Sequence, residues 1–544
     1  MTPIPRLTDR ALSALLGLGP PTCAHTITRE VSVAMRDGVP LLADHYAPIT
    51  AEPAGTILVR GPYGRGGPAA LSARLYAAHG YHVVIQSTRG TFGSGGEFAP
   101  GRTEVDDGAD TVAWLRGQPW FTGSFATIGS SYLGFTQWAL LVDPPPELAA
   151  AVITVGPHDL SATIWDSGAF ALSDFLGWSD AVARQEDPRT TRRLLRSAAA
   201  RWRVRPALNG LPLGAAGRAL LGDGAPWYES WLAHPETRDE FWAPTRLHAA
   251  LERARIPVLL TTGWQDVFLT QTLEQYERLH ARGVDVALTV GPWTHMQIGV
   301  QGARRNGREA RRWLAAHLSG RPGRRAGRVS VFVTGARCWR ELSQWPPPCD
   351  DTELFLWPGS ILADRPPWPG AAPSRFVYDP ADPTPTVGGR LLSPESGYRT
   401  GRRLSARPDV LNFTGARLAA DVEIAGTPIV ELHHTTDIPH ADVFVRLGEA
   451  DDAGRIRNVS DGYLRLGAER VAPLRLRLDP VAHRFRAGRR ICLLVAGGSH
   501  PRFARNLGTG EPALTGSGAR PSTHTVAHGA GGVSRLVLPV LSAG

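Results

Sequence analysis

A serine hydroxyl opens an ester or amide carbonyl when a base takes its proton and preorganised donors receive the oxyanion. The segment Gly129-Ser130-Ser131-Tyr132-Leu133-Gly134 has the residues for such an attack. Phe125-Ala126-Thr127-Ile128 before it reads as a short buried strand, and Phe135-Thr136-Gln137-Trp138-Ala139-Leu140 after it as the start of a helix. A serine on a sharp strand-to-helix turn, two residues after a glycine, makes a nucleophile elbow. The turn exposes the hydroxyl and leaves the next backbone N–H free to bind an oxyanion. That spacing selects Ser131 over Ser130. The usual pattern is Gly-x-Ser-x-Gly, whereas here Leu133 takes the final glycine position and the glycine falls one residue later, at Gly134. On its own the motif reads equally as a Gly/Ser-rich strand-to-helix loop with no chemistry.

The base and its orienting acid must come from elsewhere. Ile256-Pro257-Val258-Leu259-Leu260-Thr261-Thr262-Gly263 reads as a buried strand running into Trp264-Gln265-Asp266. Val286-Ala287-Leu288-Thr289-Val290 reads as another, running into Gly291-Pro292-Trp293-Thr294-His295. An acid and then a histidine thus follow the serine, each just past the C-terminal end of an apolar strand. This is the Ser, Asp, His order of the α/β-hydrolase triad. It also places them at the edge where open α/β sheets collect catalytic groups. A lone turn aspartate is usually only a turn residue; the ordered set of three is not so easily dismissed.

The supporting elements follow from texture. Residues 25 to about 153 alternate strands (Thr56–Val59, His82–Gln86) with helices (Ala69–Ala78, Asp107–Leu115), which implies a mostly parallel sheet covered on both faces. From about 155 to 247 the signal becomes helical, punctuated by Trp165, Phe170, Phe175, Trp178 and Trp202, and reads as an insertion capping the active site. The sheet resumes at Ile256 and ends with a helix around Arg308–Leu318. From about 328 onward short runs separated by Gly/Pro breaks predict an all-β sandwich. Leu474–Leu478 alternates with period two, and Val443–Leu447 does so in part.

These segments resemble the cocaine-esterase-like (CocE/NonD) hydrolases, a family that also takes in α-amino-acid ester hydrolases and X-prolyl dipeptidyl peptidases. The resemblance rests on Arg60-Gly61-Pro62-Tyr63, Thr88-Arg89-Gly90-Thr91-Phe92-Gly93-Ser94-Gly95-Gly96-Glu97-Phe98, the elbow with Gln137-Trp138, Gly263-Trp264-Gln265-Asp266, Gly291-Pro292-Trp293-Thr294-His295 and Arg407-Pro408-Asp409-Val410-Leu411. It implies an α/β hydrolase fold with a helical cap insertion and a C-terminal all-β jelly-roll domain. The expected boundaries are 1–153 with 248–327 for the catalytic domain, 154–247 for the cap and 328–544 for the jelly roll. It implies Ser131, Asp266 and His295 as the triad, with an oxyanion hole from the Tyr132 backbone N–H and the Tyr63 hydroxyl. It further implies an acyl pocket walled by Trp165, Trp178 and Phe268, to which Gly388-Gly389-Arg390-Leu391-Leu392 brings Leu391 and Leu392. Without the resemblance, Tyr63 reads as a loop aromatic packed on the sheet, and the pocket aromatics read as core.

Composition adds bounds. The 544 residues carry 42% apolar and 20% charged residues and a net charge of +9, with every basic residue an arginine. The arginines are dispersed, so no nucleic-acid or membrane partner is expected. The densest cluster, Arg304, Arg305, Arg308, Arg311 and Arg312, reads as the solvated face of a helix above Trp313, Leu314 and Leu318. Four cysteines without metal spacing predict reduced thiols and a cytoplasmic protein. Arg6 and Arg10 before Ala11–Leu18 imitate a secretory signal, but the apolar run is short and Asp9 precedes it, which favours an N-terminal helix. No stretch reaches the roughly 20 apolar residues of a membrane span.

The reading is a serine hydrolase cleaving carboxylic esters through an acyl-enzyme. Its partner is a small-molecule ester or short peptide, with no cofactor and no metal; self-association is left open. His524 and His528 are four residues apart, but in glycine-rich sequence without helix signals. No acid occupies Val267, Phe268 or Leu269 to hold a substrate ammonium, which favours an apolar acyl pocket. Two alternatives stay open. One is an X-prolyl dipeptidyl peptidase with Asp166 and Asp174 supplying charge. The other is a binding protein on an inactive hydrolase scaffold.

Overall fold

A computed structural model describes residues 7–186, 190–320, 329–468 and 472–542 of the chain. It divides into two compact units: Met1–Ser161 with Arg238–Gly263 and Gln271–Ser330, and Ala162–Thr237 with Trp264–Thr270 and Val331–Gly544. The helical stretch read at 154–247 is therefore split, most of it clustering with the C-terminal strands.

The first unit is built on a twisted sheet. Its strands are β1 (His25–Ala34), β2 (Pro40–Pro48), β3 (Gly55–Gly61), β4 (Tyr81–Ser87), β5 (Phe125–Ser130), β6 (Leu148–Thr154), β7 (Val258–Gln265) and β8 (Val286–Thr294). They run in the order β1-β2-β4-β3-β5-β6-β7-β8. β1 and β2 are antiparallel, as are β2 and β4, whereas β4, β3, β5, β6 and β7 are parallel. Helices α1 (Leu7–Leu15), α2 (Gly67–Ala77), α3 (Glu104–Arg116) and α4 (Tyr132–Leu140) lie among them in sequence. Ile57, Val83, Ile85, Ala126, Val152, Leu259 and Ala287 form one face of the core with Trp313 and Leu314 of helix Ala303–His317. Apolar runs buried on both faces are what a covered parallel sheet requires. The N-terminal segment folds as a helix, whose buried Asp9 pairs with Arg74 of α2.

The second unit contains helices Leu172–Ala183, Thr190–Asn209, Leu213–Leu221 and Trp227–Ala233 together with the C-terminal strands. Among the described residues the strands from Cys349 onward form a large sheet and a three-stranded one. The ladders are antiparallel in Ala441–Ala450 with Ile456–Leu466, and in Val410–Gly415 with Arg490–Ala496. The expected alternation holds for Leu474–Arg477, which is buried and exposed in turn. It fails for Val443–Leu447, where the strand is buried on both faces. Val443, Val445 and Leu447 enter one core, and Phe444 enters another with Tyr463, Leu494 and Phe503. Arg446 stays in this dry setting because Asp461 accepts from its Nε and Nη2, both at 2.7 Å.

Buried histidines in the first unit, among them His45 and His158, resist protonation. Burial, reinforced by nearby His248, pushes the His158 imidazole down to about 3. The unfolded chain then binds a proton that the folded one refuses between pH 6.5 and about 3, so stability falls as pH drops through that window. The slope is about 1.4 kcal/mol per pH unit while only the unfolded form is protonated. Urea unfolding between pH 6 and 4 is expected to show this loss, and His158→Gln to flatten it. An unchanged slope in the variant would exclude His158 as the source.

Candidate active site

β5 delivers the elbow. Ser131 follows it with φ 60° and ψ −124°, a left-handed backbone unusual for a residue with a β-carbon. Such a conformation costs about 1–3 kcal/mol and persists only where the surroundings enforce it. Here the Ser131 N–H donates to Thr154 O on β6 at 3.0 Å, and Ser131 O accepts from Gly134 N at 2.8 Å and Phe135 N at 3.1 Å. Ser131 is half-buried and Ser130 exposed.

The departure from Gly-x-Ser-x-Gly has a packing reason. A β-carbon on Gly129 would lie 2.4 Å from Leu133 Cβ, and one on Gly61 would lie 2.5 Å from Leu133 Cδ1. Leu133 thus fills the notch that two glycines leave open. Gly134 is needed instead of a residue at 133, because its β-carbon would meet Gly156 Cα at 2.5 Å.

β7 ends at Gln265, and Asp266 follows it, fully buried. Its Oδ2 accepts from Phe268 N at 3.2 Å and its carbonyl from Leu269 N at 3.2 Å, which closes the turn. β8 ends at Thr294, and half-buried His295 follows. The turn is tied by Thr294 N donating to Gln297 Oε1 at 3.1 Å and Gln297 N to Thr294 Oγ1 at 3.3 Å. A β-carbon on Gly263 would lie 2.2 Å from Trp293 O, so glycine lets β7 approach the end of β8.

Tyr63 lies in the loop after β3, and its ring is 40% exposed. It is close enough to Tyr132 to act electrostatically on that phenol. Tyr132 is buried, and its hydroxyl donates to Glu104 Oε1 at 2.9 Å and accepts from Gly101 N at 2.7 Å. The Thr88–Phe98 motif is scaffolding for this end of the sheet. Arg89 Nη2 donates to Asp107 Oδ1 at 2.6 Å, and Phe98 packs on Tyr132 with ring centroids 5.9 Å apart.

The five expected acyl-wall residues all fall in the second unit. Trp165 is 4% exposed and donates from Nε1 to Trp231 O at 2.9 Å. Trp178, half-buried, stacks on the Trp231 ring at 6.0 Å. Trp231 is therefore the hub of this cluster, and sequence reading missed it; the signal was the spacing of Trp227 and Trp231 on one helix face. Leu392 N donates to Asp174 Oδ1 at 2.9 Å, on the same helix as Trp178 and one turn before it. Arg390 Nη1 donates to Val267 O at 3.1 Å, between Asp266 and Phe268, and Arg390 Nη2 pairs with Asp479 at 2.6 Å. Leu391 and Phe268 are buried. The Asp166 side chain lies outside the described residues.

One group among the described residues, His158, His248 and Glu274, could reach a common ion. Gln275 Nε2 donates both to Gly156 O at 2.8 Å and toward His158 Nδ1 at 3.1 Å. The carbonyl contact fixes the amide orientation, so Nδ1 accepts and the proton of the neutral ring sits on Nε2, facing Glu274 Oε2 at 3.6 Å. The atom aimed at the cluster is a donor, and the ring offers no lone pair there for a cation. His524 and His528 are both buried in the β-rich unit, bonded to His434 and Ser374 respectively.

Comparison with known proteins agrees with this architecture. Residues 37–297 match the X-Pro dipeptidyl-peptidase (S15 family) model, and residues 323–537 match the X-Pro dipeptidyl-peptidase C-terminal non-catalytic domain. The chain is 30% identical to a cocaine esterase of Rhodococcus sp. (strain MB1 Bresler) over 541 residues, covering 89% of this chain and 93% of the relative. The chain belongs to the S15/CocE family of serine hydrolases. An α-amino acid ester hydrolase superposes with a TM-score of 0.80 at 24% identity, over 95% of this chain and 97% of the other. An aminopeptidase from a marine sediment Thaumarchaeota archaeon does so with a TM-score of 0.79 at 23% identity, again over 95% and 97%. At these identities the superpositions establish the fold, an α/β-hydrolase-like domain with a C-terminal β-rich part. No helix among the described residues is long and apolar enough to cross a membrane.

Proposed function

We propose that the protein is a serine carboxylesterase that cleaves neutral esters through an acyl-enzyme. Ser131 is the nucleophile, His295 the base and Asp266 the acid that orients it, with Tyr132 N–H and Tyr63 OH receiving the oxyanion. Trp165, Trp178, Phe268, Leu391 and Leu392 furnish an apolar acyl wall. The observation that carries the ester reading over the dipeptidyl-peptidase one is the state of Asp174. That carboxylate is 2% exposed, and it accepts from the Leu392 backbone N–H. Committed to the chain in this way, it is poorly placed to take a substrate ammonium. The finer architecture belongs to the same proposal: a catalytic domain of 1–153 and 248–327, a helical cap of 154–247 and a jelly roll of 328–544. So does a cytoplasmic site of action on a small-molecule substrate, without nucleic acid, membrane or cofactor. The free thiols of Cys23, Cys338, Cys349 and Cys492 suit that compartment.

A panel of nitrophenyl esters beside Ala-Pro nitroanilide tests the reading. Apolar and aromatic acyl esters are expected to show higher kcat/KM than acetyl or α-amino esters, since each Å² of apolar surface buried gains about 25 cal/mol. Phe268→Ala or Trp178→Ala should shrink that preference more than it lowers acetyl-ester turnover. Trp165 is a poorer probe, because its truncation also removes the bond to Trp231. Cleavage of unblocked Ala-Pro nitroanilide well above any neutral ester would establish the dipeptidyl-peptidase alternative instead. A folded protein that turns over neither class would favour the binding-protein reading.

A further inference from the structure

Beneath the elbow lies a carboxylate that the hydrolytic reading leaves without a task. Glu104 opens α3 and is 3% exposed. Its Oε1 accepts the Tyr132 hydroxyl at 2.9 Å, and its Oε2 pairs with Arg60 Nη2 at 3.2 Å. Arg60 is itself immobilised: Nη1 donates to Glu104 O at 3.1 Å and Nε to Gln86 Oε1 at 2.8 Å. Thr111 Oγ1 donates to that same Gln86 oxygen at 2.9 Å. On the other side, the Tyr132 ring packs between Phe98 and Phe135, with centroids 5.9 and 5.7 Å away.

A buried ion pair is weak evidence for stability, because desolvation offsets most of the attraction. It does fix geometry, and the two groups it fixes are informative. Tyr132 carries the backbone N–H next to the nucleophile. Arg60 lies three residues before Tyr63, on the end of β3 and separated from it only by Gly61 and Pro62. We propose that Glu104 is a positioning residue that ties both oxyanion donors, the Tyr132 backbone N–H and the Tyr63 hydroxyl, to one buried anchor through the Tyr132 hydroxyl and the Arg60 guanidinium.

The proposal rests on the serine-hydrolase reading above. Hydrogen-bond strength falls steeply with misalignment. A hole assembled from two separate segments therefore needs a common reference, and Glu104 bonds to Tyr132 in one and pairs with Arg60, three residues before Tyr63, in the other. Burial, then the Glu104 charge, raises the Tyr132 phenol well above its ordinary range, so that the hydroxyl remains a donor. Burial raises the Glu104 carboxyl, and Arg60 and Tyr132 oppose that rise.

Tyr132→Phe keeps the ring and its packing and removes the tether together with the bond from Gly101 N; Glu104→Gln, which keeps the Tyr132 hydroxyl, is the second variant. Each is expected to lower kcat for a nitrophenyl ester by roughly tenfold to a hundredfold, the scale on which a misplacement of about 1 Å costs rate. KM should change little. Affinity for phenylboronic acid should fall by a similar factor, since its boron becomes tetrahedral on the serine oxygen and presents an oxygen to the hole. The double variant should be no slower than the slower single one, because both cut the same tether. If Glu104→Gln fails to fold, Tyr132→Phe still decides the matter. Wild-type kcat and boronate affinity in Tyr132→Phe, with or without lower thermal stability, would overturn the proposal, as would a loss confined to KM. Ser131→Ala serves as the control. Hydrolysis that survives it removes the serine-hydrolase reading and this inference together. An inactive Ser131→Ala beside a wild-type-like Tyr132→Phe removes the inference alone.

Discussion

Ser131→Ala is expected to abolish both ester hydrolysis and labelling by a fluorophosphonate while the protein stays folded. A lost nucleophile in a serine hydrolase costs on the order of a millionfold in kcat. The fold should hold because alanine keeps a β-carbon at φ 60°, so the strain of the turn is neither added nor relieved. The backbone bonds to Thr154, Gly134 and Phe135 involve no side-chain atom. A peptide map of the labelled wild-type protein should place the adduct on Ser131. An adduct on exposed Ser130 would refute the assignment and move the turn by one residue.

His295→Ala is expected to lose nearly as much, again with an intact fold, since His295 sits in a turn past β8 and not in the core. Asp266→Asn should preserve the buried turn yet lower kcat on the order of ten-thousandfold, by stabilising the wrong tautomer of the base. Acylation of His295→Ala at a rate near wild type, followed as the burst of nitrophenolate, would remove His295 from the mechanism.

The strands that carry the expected triad were legible because their signals are local. β5, β7 and β8 are short apolar runs with a glycine near their C-terminal ends, and each lies within a few residues of its expected bounds. The elbow's odd spacing was visible, but its cause was not. That cause needs Gly61 and Gly156, distant in sequence, to be seen against Leu133 and Gly134. Buried charges were illegible for the same reason. Glu104, Arg60, Arg390 and Asp479 look like surface residues in a chain that is 20% charged, and only tertiary pairing keeps them inside. Arg446 misled in the opposite direction, since one arginine among Val443, Phe444, Val445 and Leu447 imitates the outer face of a half-exposed strand. Trp231 was missed because its partners Trp165 and Trp178 lie more than fifty residues before it.

The short segment Trp264–Thr270 limits where the chain can be recombined. Its supports are Phe332 O for the Trp264 indole, Asn458 for Gln265 and Arg390 for Val267, all from the C-terminal part of the chain. A chimaera that joins the N-terminal half of one homologue to the C-terminal half of another, cut in the interval between residues 297 and 323, would separate this segment from its three supports. Crossovers there would be tolerated only between parents that agree at Arg390, Asn458 and the backbone around Phe332.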